Sequence, residues 1–124
     1  MIRWEPLQLI LPRVTINTKN GTIFISKAAC DLIPRIDDYR YVQPLKPAGA
    51  PSISVLGLQF MTTKTDHTYS AYHNRSGILL MSKLLVQALF PGVVGGSHAF
   101  AAEKYDDVTL AIPLTQPSSD PSLD

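Results

Sequence analysis

One cysteine, Cys30, stands in a chain of 124 residues, so no intrachain disulfide can staple the fold and a reducing interior is the default surroundings. Charge is sparse too. Only 17% of residues are Asp, Glu, Lys or Arg and the formal net charge is +1, which excludes the global basic field of a general nucleic-acid binder and leaves only local anion sites. No stretch approaches the ~18 consecutive apolar residues of a membrane span, and Met1-Ile2-Arg3-Trp4-Glu5-Pro6 has no long apolar run behind its charge. A soluble, cytoplasmic protein with no membrane partner is expected. No Gly-rich loop precedes a helix, and Asp37-Asp38 and Asp106-Asp107 read as polar turns, without the burial that would raise a carboxyl pKa for acid-base work. No catalytic residue is assigned and no cofactor is called.

What the sequence does have is a stretch that reads as if written twice. Laying Gly77 on Gly21 without a gap sets residues 70–90 on 14–34, so that Ser82 falls on Ser26, Lys83 on Lys27, and Leu79 and Met81 on Ile23 and Ile25. The first copy reads as hairpin then helix. Asn20-Gly21 is a two-residue turn signal that pairs Ile16 with Ile25 and Thr18 with Ile23, placing Val14, Ile16, Ile23 and Ile25 on one core face. Ser26 is a candidate N-cap for a helix over 27–33 that Pro34 stops. In the second copy Ser76-Gly77 is the turn, Tyr72, Leu79 and Met81 form the matching face, and Ser82 caps a helix over 83–90 that Pro91-Gly92 ends. Asn20 and Asn74, though in glycosylation sequons, are read as turn residues.

Each copy continues into further strands. Tyr39-Arg40-Tyr41-Val42 and 53–60 follow the first helix; a Gly-rich bend over 92–96, a strand over 98–103, a turn at 105–107 and a strand over 108–114 follow the second. The expected class is α+β, mostly β: two β-hairpin, helix, β-hairpin repeats packed about a pseudo-twofold as one domain. Its parts are an N-terminal arm or strand over 1–12, repeat 1 over 13–62, a connector over 63–68, repeat 2 over 69–115 and a flexible Pro/Ser/Asp tail over 116–124. About 50 residues bury little alone, so the repeats are expected to share one core. The strands over 53–60 and 108–114 are apolar at nearly every position, which implies burial on both faces or a homo-oligomer.

The segment Gly21-Thr22-Ile23-Phe24-Ile25-Ser26-Lys27, with Leu32-Ile33 behind it, resembles the strand-to-helix core of the AbrB-like swapped-hairpin family. Ser26 and Ser82 stand where that family usually has proline, and the Gly-Asp pair that usually follows the helix is missing. The resemblance, over 14–60 with 70–114 as a fused second subunit, implies two interlocked halves that bind DNA as a regulator or antitoxin. The tandem also looks like small bacterial and phage proteins of similar layout.

Basic residues gather on the two hairpin-helix units. Arg13, Lys19, Lys27 and Arg35 face only Asp31 in the first, and Arg75 and Lys83 face no acid in the second, whereas Glu103, Asp106 and Asp107 outnumber Lys104 downstream. Lys19 and Arg75 sit at matching hairpin tips, Lys27 and Lys83 at matching helix starts. With Arg13 they are the candidate residues for nucleic acid, DNA above all, or another phosphate-bearing ligand, since lysines and free helix-start amides suit phosphate oxygens. The bland reading is that such turns are simply solvated by lysine. Asp66, His67, His73 and His98 lack metal-ligand spacing, so no metal is called, and His73 is read as an exposed position opposite Leu80. Cys30 is read as core, and Tyr39, Tyr41, Tyr69 and Tyr72 as packing residues that could also stack on bases. Two functions compete: a non-enzymatic binding module for nucleic acid or a phosphate ligand, and a structural or assembly protein, as in a phage particle.

Overall fold

The computed structural model describes residues 2–4, 11–49, 53–90 and 96–114. In chain order they form β1 (Arg13–Asn17), β2 (Thr22–Ser26), α1 (Lys27–Cys30), a 3-10 turn (Ile36–Asp38), β3 (Tyr41–Leu45) and β4 (Val55–Met61). There follow β5 (Tyr69–Ser70), β6 (Tyr72–Asn74), β7 (Gly77–Met81), α2 (Lys83–Leu89), β8 (Ser97–Ala101), β9 (Glu103–Asp106) and β10 (Thr109–Pro113). The class is α+β, mostly β. Sheet A runs β6-β7-β2-β1-β8 and sheet B runs β5-β3-β4-β10-β9, every pairing antiparallel. The middle of each sheet joins one strand from each half of the chain, β2 with β7 and β4 with β10, with their hairpin partners outside them.

Strict alternation of burial along β1, β2 and β4 follows from the two-residue period of a strand. Val14, Ile16, Ile23, Ile25, Ile78 and Leu80 from sheet A meet Val42, Leu56, Leu58, Leu110 and Ile112 from sheet B in one core. Each such side chain, removed from water, contributes about 1.5–3 kcal/mol. Ala29, Cys30, Val86 and Leu89 add one side of each helix to the same cluster.

Both hairpins differ from the expected register by two residues. Ile16 pairs with Ile23 and Asn17 with Thr22, leaving 18–21 as a four-residue loop; Tyr72 pairs with Leu79, His73 with Ile78 and Asn74 with Gly77, leaving Arg75 and Ser76 as the loop. An asparagine carboxamide causes the shift. Asn17 Oδ1 accepts the amides of Lys19 and Asn20, and Asn74 Oδ1 those of Ser76 and Gly77, so each turn is closed by a side chain in front of it. A slip of two preserves each face, and the core face of the first hairpin is as expected.

In the second hairpin the faces are reversed. Tyr72, Leu79 and Met81 do share a face, but it is the outer one: Tyr72 is 52% and Met81 57% exposed while Ile78 and Leu80 are buried. Cross-strand partners share a face, and β2 sets Ile23 opposite Leu80 and Ile25 opposite Ile78. The gapless match of Leu79 and Met81 to Ile23 and Ile25 is therefore not carried into the core.

The first helix ends at Cys30 instead of Ile33. Pro34 has no N–H to offer the Cys30 carbonyl and its ring would crowd it, so that oxygen accepts from Ile33 and the chain tightens through Leu32 to Ala29 before Arg35 takes a left-handed φ of 60°. Both expected caps form, Ser26 Oγ accepting from Ala29 and Ser82 Oγ from Leu85. Tyr39 closes the 3-10 turn, so β3 begins at Tyr41; the expected strand over 98–103 is split into β8 and β9. Residues 1 and 5–10 of the expected arm, residues 50–52 ahead of β4, the helix stop at 91–92, most of the Gly-rich bend and the tail lie outside the described residues.

Candidate functional site

Each hairpin tip docks on the start of the other half's helix. Gly21, at φ +69°, lies so close to Lys83 that a Cβ there would come within 2.5 Å of Lys83 Cγ and 2.7 Å of its Cα, and its carbonyl accepts the Ser82 amide at 2.9 Å. Gly77, at φ +147°, stands against the Ile25 carbonyl and Ser26, where a side chain would overlap the Ile25 oxygen. Lys19 of one tip is thereby brought to the helix start that carries Lys83, and Arg75 of the other tip to the helix start that carries Lys27. The tip of the first hairpin is tied down further by Thr18 N and Oγ1 donating to the Gly96 carbonyl and by Asn17 Nδ2 donating to Ser97 Oγ.

The two pairs occupy opposite ends of the β2–β7 ladder. Thr22 faces Met81 at the Lys19/Lys83 end and Ser26 faces Gly77 at the Lys27/Arg75 end, a span of roughly 15 Å over five residues. Arg13 joins the second pair, for its amide donates to Ser26 Oγ. Its Nε is buried and has no acceptor among the described residues.

Neighbouring carboxylates separate the two ends. Lys27 Nζ lies 3.3 Å from Asp31 Oδ1. Among the described residues Arg13, Lys19, Arg75 and Lys83 make no ion pair. No strand of sheet A and neither of its hairpin loops carries an aspartate or glutamate, so Arg13, Lys19 and Arg75 set the sign of the whole sheet. Sheet B ends on Glu103 and Asp106, followed by Asp107, which holds Lys104 at 3.0 Å. The Val108 amide, and after it the Thr109 hydroxyl, holds the Asp106 carboxyl below its usual pKa. The helix-start amides of Ala29 and Leu85, of the kind that suits a phosphate oxygen, are already bonded to the two serines.

His73 is not an exposed residue opposite Leu80. It pairs with Ile78, its side chain is 20% exposed, Nε2 donates to the Tyr39 carbonyl at 2.7 Å, and Nδ1 lies 3.9 Å from Asp37. His98 stacks on Phe90, at 5.5 Å between centroids, far along the chain from Asp66 and His67 in their exposed connector. Among the described residues no three His, Cys, Asp or Glu side chains converge as a metal site would require. Burial pushes the Cys30 thiol up to about 11, against the smaller opposing influence of Lys27, and its Sγ faces the Ile25 carbonyl. A thiol held neutral is a packing group, not a nucleophile.

Of the tyrosines, Tyr39 packs on Phe60 with centroids 6.2 Å apart, Tyr41 and Tyr69 are half-buried on neighbouring strands of sheet B, and Tyr72 is open on sheet A. Phe24, which no sequence signal singled out, lies on the same outer face as Tyr72. A second surface is an apolar groove of about 320 Å³ on sheet B, lined by Leu45, Val55, Gly57, Tyr105 and Ala111. No helix among the described residues is long and apolar enough to cross a membrane. Compared with family models, curated proteins and solved structures, the chain matches none.

Proposed function

We propose that the chain is a non-enzymatic binding module, working in the cytoplasm, that holds nucleic acid or another phosphate-bearing ligand on the cations of sheet A. The observation that carries this reading is the reciprocal docking: Gly21 against Lys83 and Gly77 against Ser26 gather cations from distant parts of the chain onto a sheet whose strands contain no carboxylate. A lysine placed only for solubility has no reason to share its place with a tip from the other half. The same reciprocity supports the view that the two halves are fused copies interlocked in the AbrB-like manner. The repeated tips and caps favour it; the reversed face of the second hairpin weighs against a faithful copy.

Binding is read from its salt dependence. Phosphate contacts release counterions, so affinity for a labelled oligonucleotide should fall steeply between two salt concentrations, and a Lys19→Ala, Lys83→Ala double variant should bind more weakly with a shallower slope. Binding that ignores salt and those lysines would overturn the reading. The competing reading is a structural or assembly subunit, and the apolar groove on sheet B favours it: such a surface, repeated on each copy, suits a homo-oligomer. A mass above that of the monomer, lost on Val55→Lys, would support that role.

A further inference from the structure

We infer that the outer face of sheet A binds single-stranded nucleic acid, with unpaired bases stacked on Tyr72 and Phe24 and the backbone held by the cations at either end of the strands. The inference rests on the proposed phosphate-binding role and adds to it the strandedness of the ligand and the face it occupies. Register places the residues. Tyr72 lies opposite Leu79, Leu79 opposite Phe24, Phe24 opposite Thr15 and Thr15 opposite Ala99, so one continuous row crosses all five strands on the side away from the core. Tyr72 and Phe24 are two strands apart, about 10 Å, with Leu79 filling the space between. Arg13 is two residues along β1 from Thr15, about 7 Å, and Arg75 lies beyond Asn74 at the same end; Lys19 and Lys83 flank the row at the other end. Among the described residues neither cation pair makes an ion pair, so a strand crossing the roughly 15 Å from one pair to the other sets phosphates at both ends and bases on the rings between.

Three features choose this occupant over others. Stacking needs the face of a base, which a duplex does not offer, and a pleated sheet face five strands wide does not enter a groove. A second copy laid on this face would set Arg13, Lys19, Arg75 and Lys83 against the same cations, a like-charge arrangement that opposes association. The outer face is also more apolar than phosphate alone requires, with Tyr72 and Met81 each more than half exposed. Aromatic stacking is the sequence-tolerant part of single-strand recognition, so little base preference is expected.

The test uses fluorescence anisotropy on the full chain with a labelled oligothymidine of about 12 nucleotides and a duplex of the same length. Wild type should prefer the single strand by roughly tenfold or more, and Tyr72→Leu and Phe24→Leu, which keep the apolar cover and remove the ring, should each weaken it by about tenfold while leaving the duplex affinity unchanged. Leu84→Ala, an exposed position on α2, should change neither. Unfolding midpoints verify that each variant is folded, and photocrosslinking of wild type to a bromouracil-containing strand reads the face without any substitution. Crosslinks should fall in 22–26 and 72–81. Equal affinity for the two strands, silent ring substitutions or crosslinks confined to sheet B would overturn the inference while salt-sensitive binding through Lys19 and Lys83 still stood. No salt-sensitive binding to either probe would remove the phosphate-binding reading as well.

Discussion

The hairpin of β1 and β2 and the hairpin of β6 and β7 share a register, an asparagine that closes the turn, and a glycine laid against the start of the other half's helix, Gly21 on Lys83 and Gly77 on Ser26. They do not share a core face. In the first, the residues at the Ile16 and Ile23 positions point inward; in the second, the corresponding Tyr72 and Leu79 point outward and the core is filled by Ile78 and Leu80. What recurs in both halves is thus the tip and the helix start it meets. Hydrophobic packing can be satisfied from either parity of an apolar strand, whereas a close backbone approach admits only glycine and a defined turn.

Substitutions at the two glycines should break this comparison most visibly. Gly77→Ala drives a Cβ into the Ile25 carbonyl at a φ that side chains rarely adopt, and should cost on the order of 4 kcal/mol. Gly21→Ala, meeting Lys83 at a left-handed φ, should cost about 2 kcal/mol. Urea unfolding gives both. A ranking with Gly21 the more sensitive would contradict the tighter approach at Gly77.

The reversed face is sharpened by neighbours on β7. Ile78→Ala should lose about 3 kcal/mol through transfer and cavity terms, and Leu79→Ala, on the outer face, less than about 1. Equal losses in chemical unfolding would mean that the outer face is covered. Cys30 and Val86 then compare the helices, each four residues after its capping serine and each buried. Burial pushes the folded Cys30 thiol up from an ordinary 9.0 to about 11, so the stability it contributes is fully present below pH 9 and is lost as pH rises toward 11. The loss is about 2 kcal/mol, and Cys30→Val should remove that slope while keeping the packing. The turns also lie toward the small end: Asn17→Ala and Asn74→Ala each free two amides on exposed loops and should cost about 1 kcal/mol in thermal unfolding.

Much of the first hairpin was legible because Val14-Thr15-Ile16 and Thr22-Ile23-Phe24-Ile25 alternate, and the serine caps because a short polar side chain precedes each helix. The face of β7 was not, since Gly-Ile-Leu-Leu-Met is apolar throughout and only its pairing with β2 decides which side is buried. The two-residue slip was hidden because Asn-Gly advertises a tighter turn than the one that Asn17, three residues before, closes with its own side chain. The candidate cations were legible as matching positions, but their grouping across halves and their lack of opposing acids depend on long-range docking. Phe24 could not be read as a site residue, because in an alternating strand it is simply the polar-side position filled by an aromatic.

Reversing charge on one sheet at a time tests the central claim most directly. Lys19→Glu with Lys83→Glu, on sheet A and its docked helix, changes the net charge by the same amount as Lys46→Glu with Lys104→Glu, on the sheet B side. With oligonucleotide affinity measured across a salt series, the sheet A pair should abolish salt-sensitive binding while the sheet B pair leaves affinity and slope close to wild type. Equal weakening by both would mean that net charge, and not the arrangement built by the reciprocal tips, governs binding, and would contradict the account.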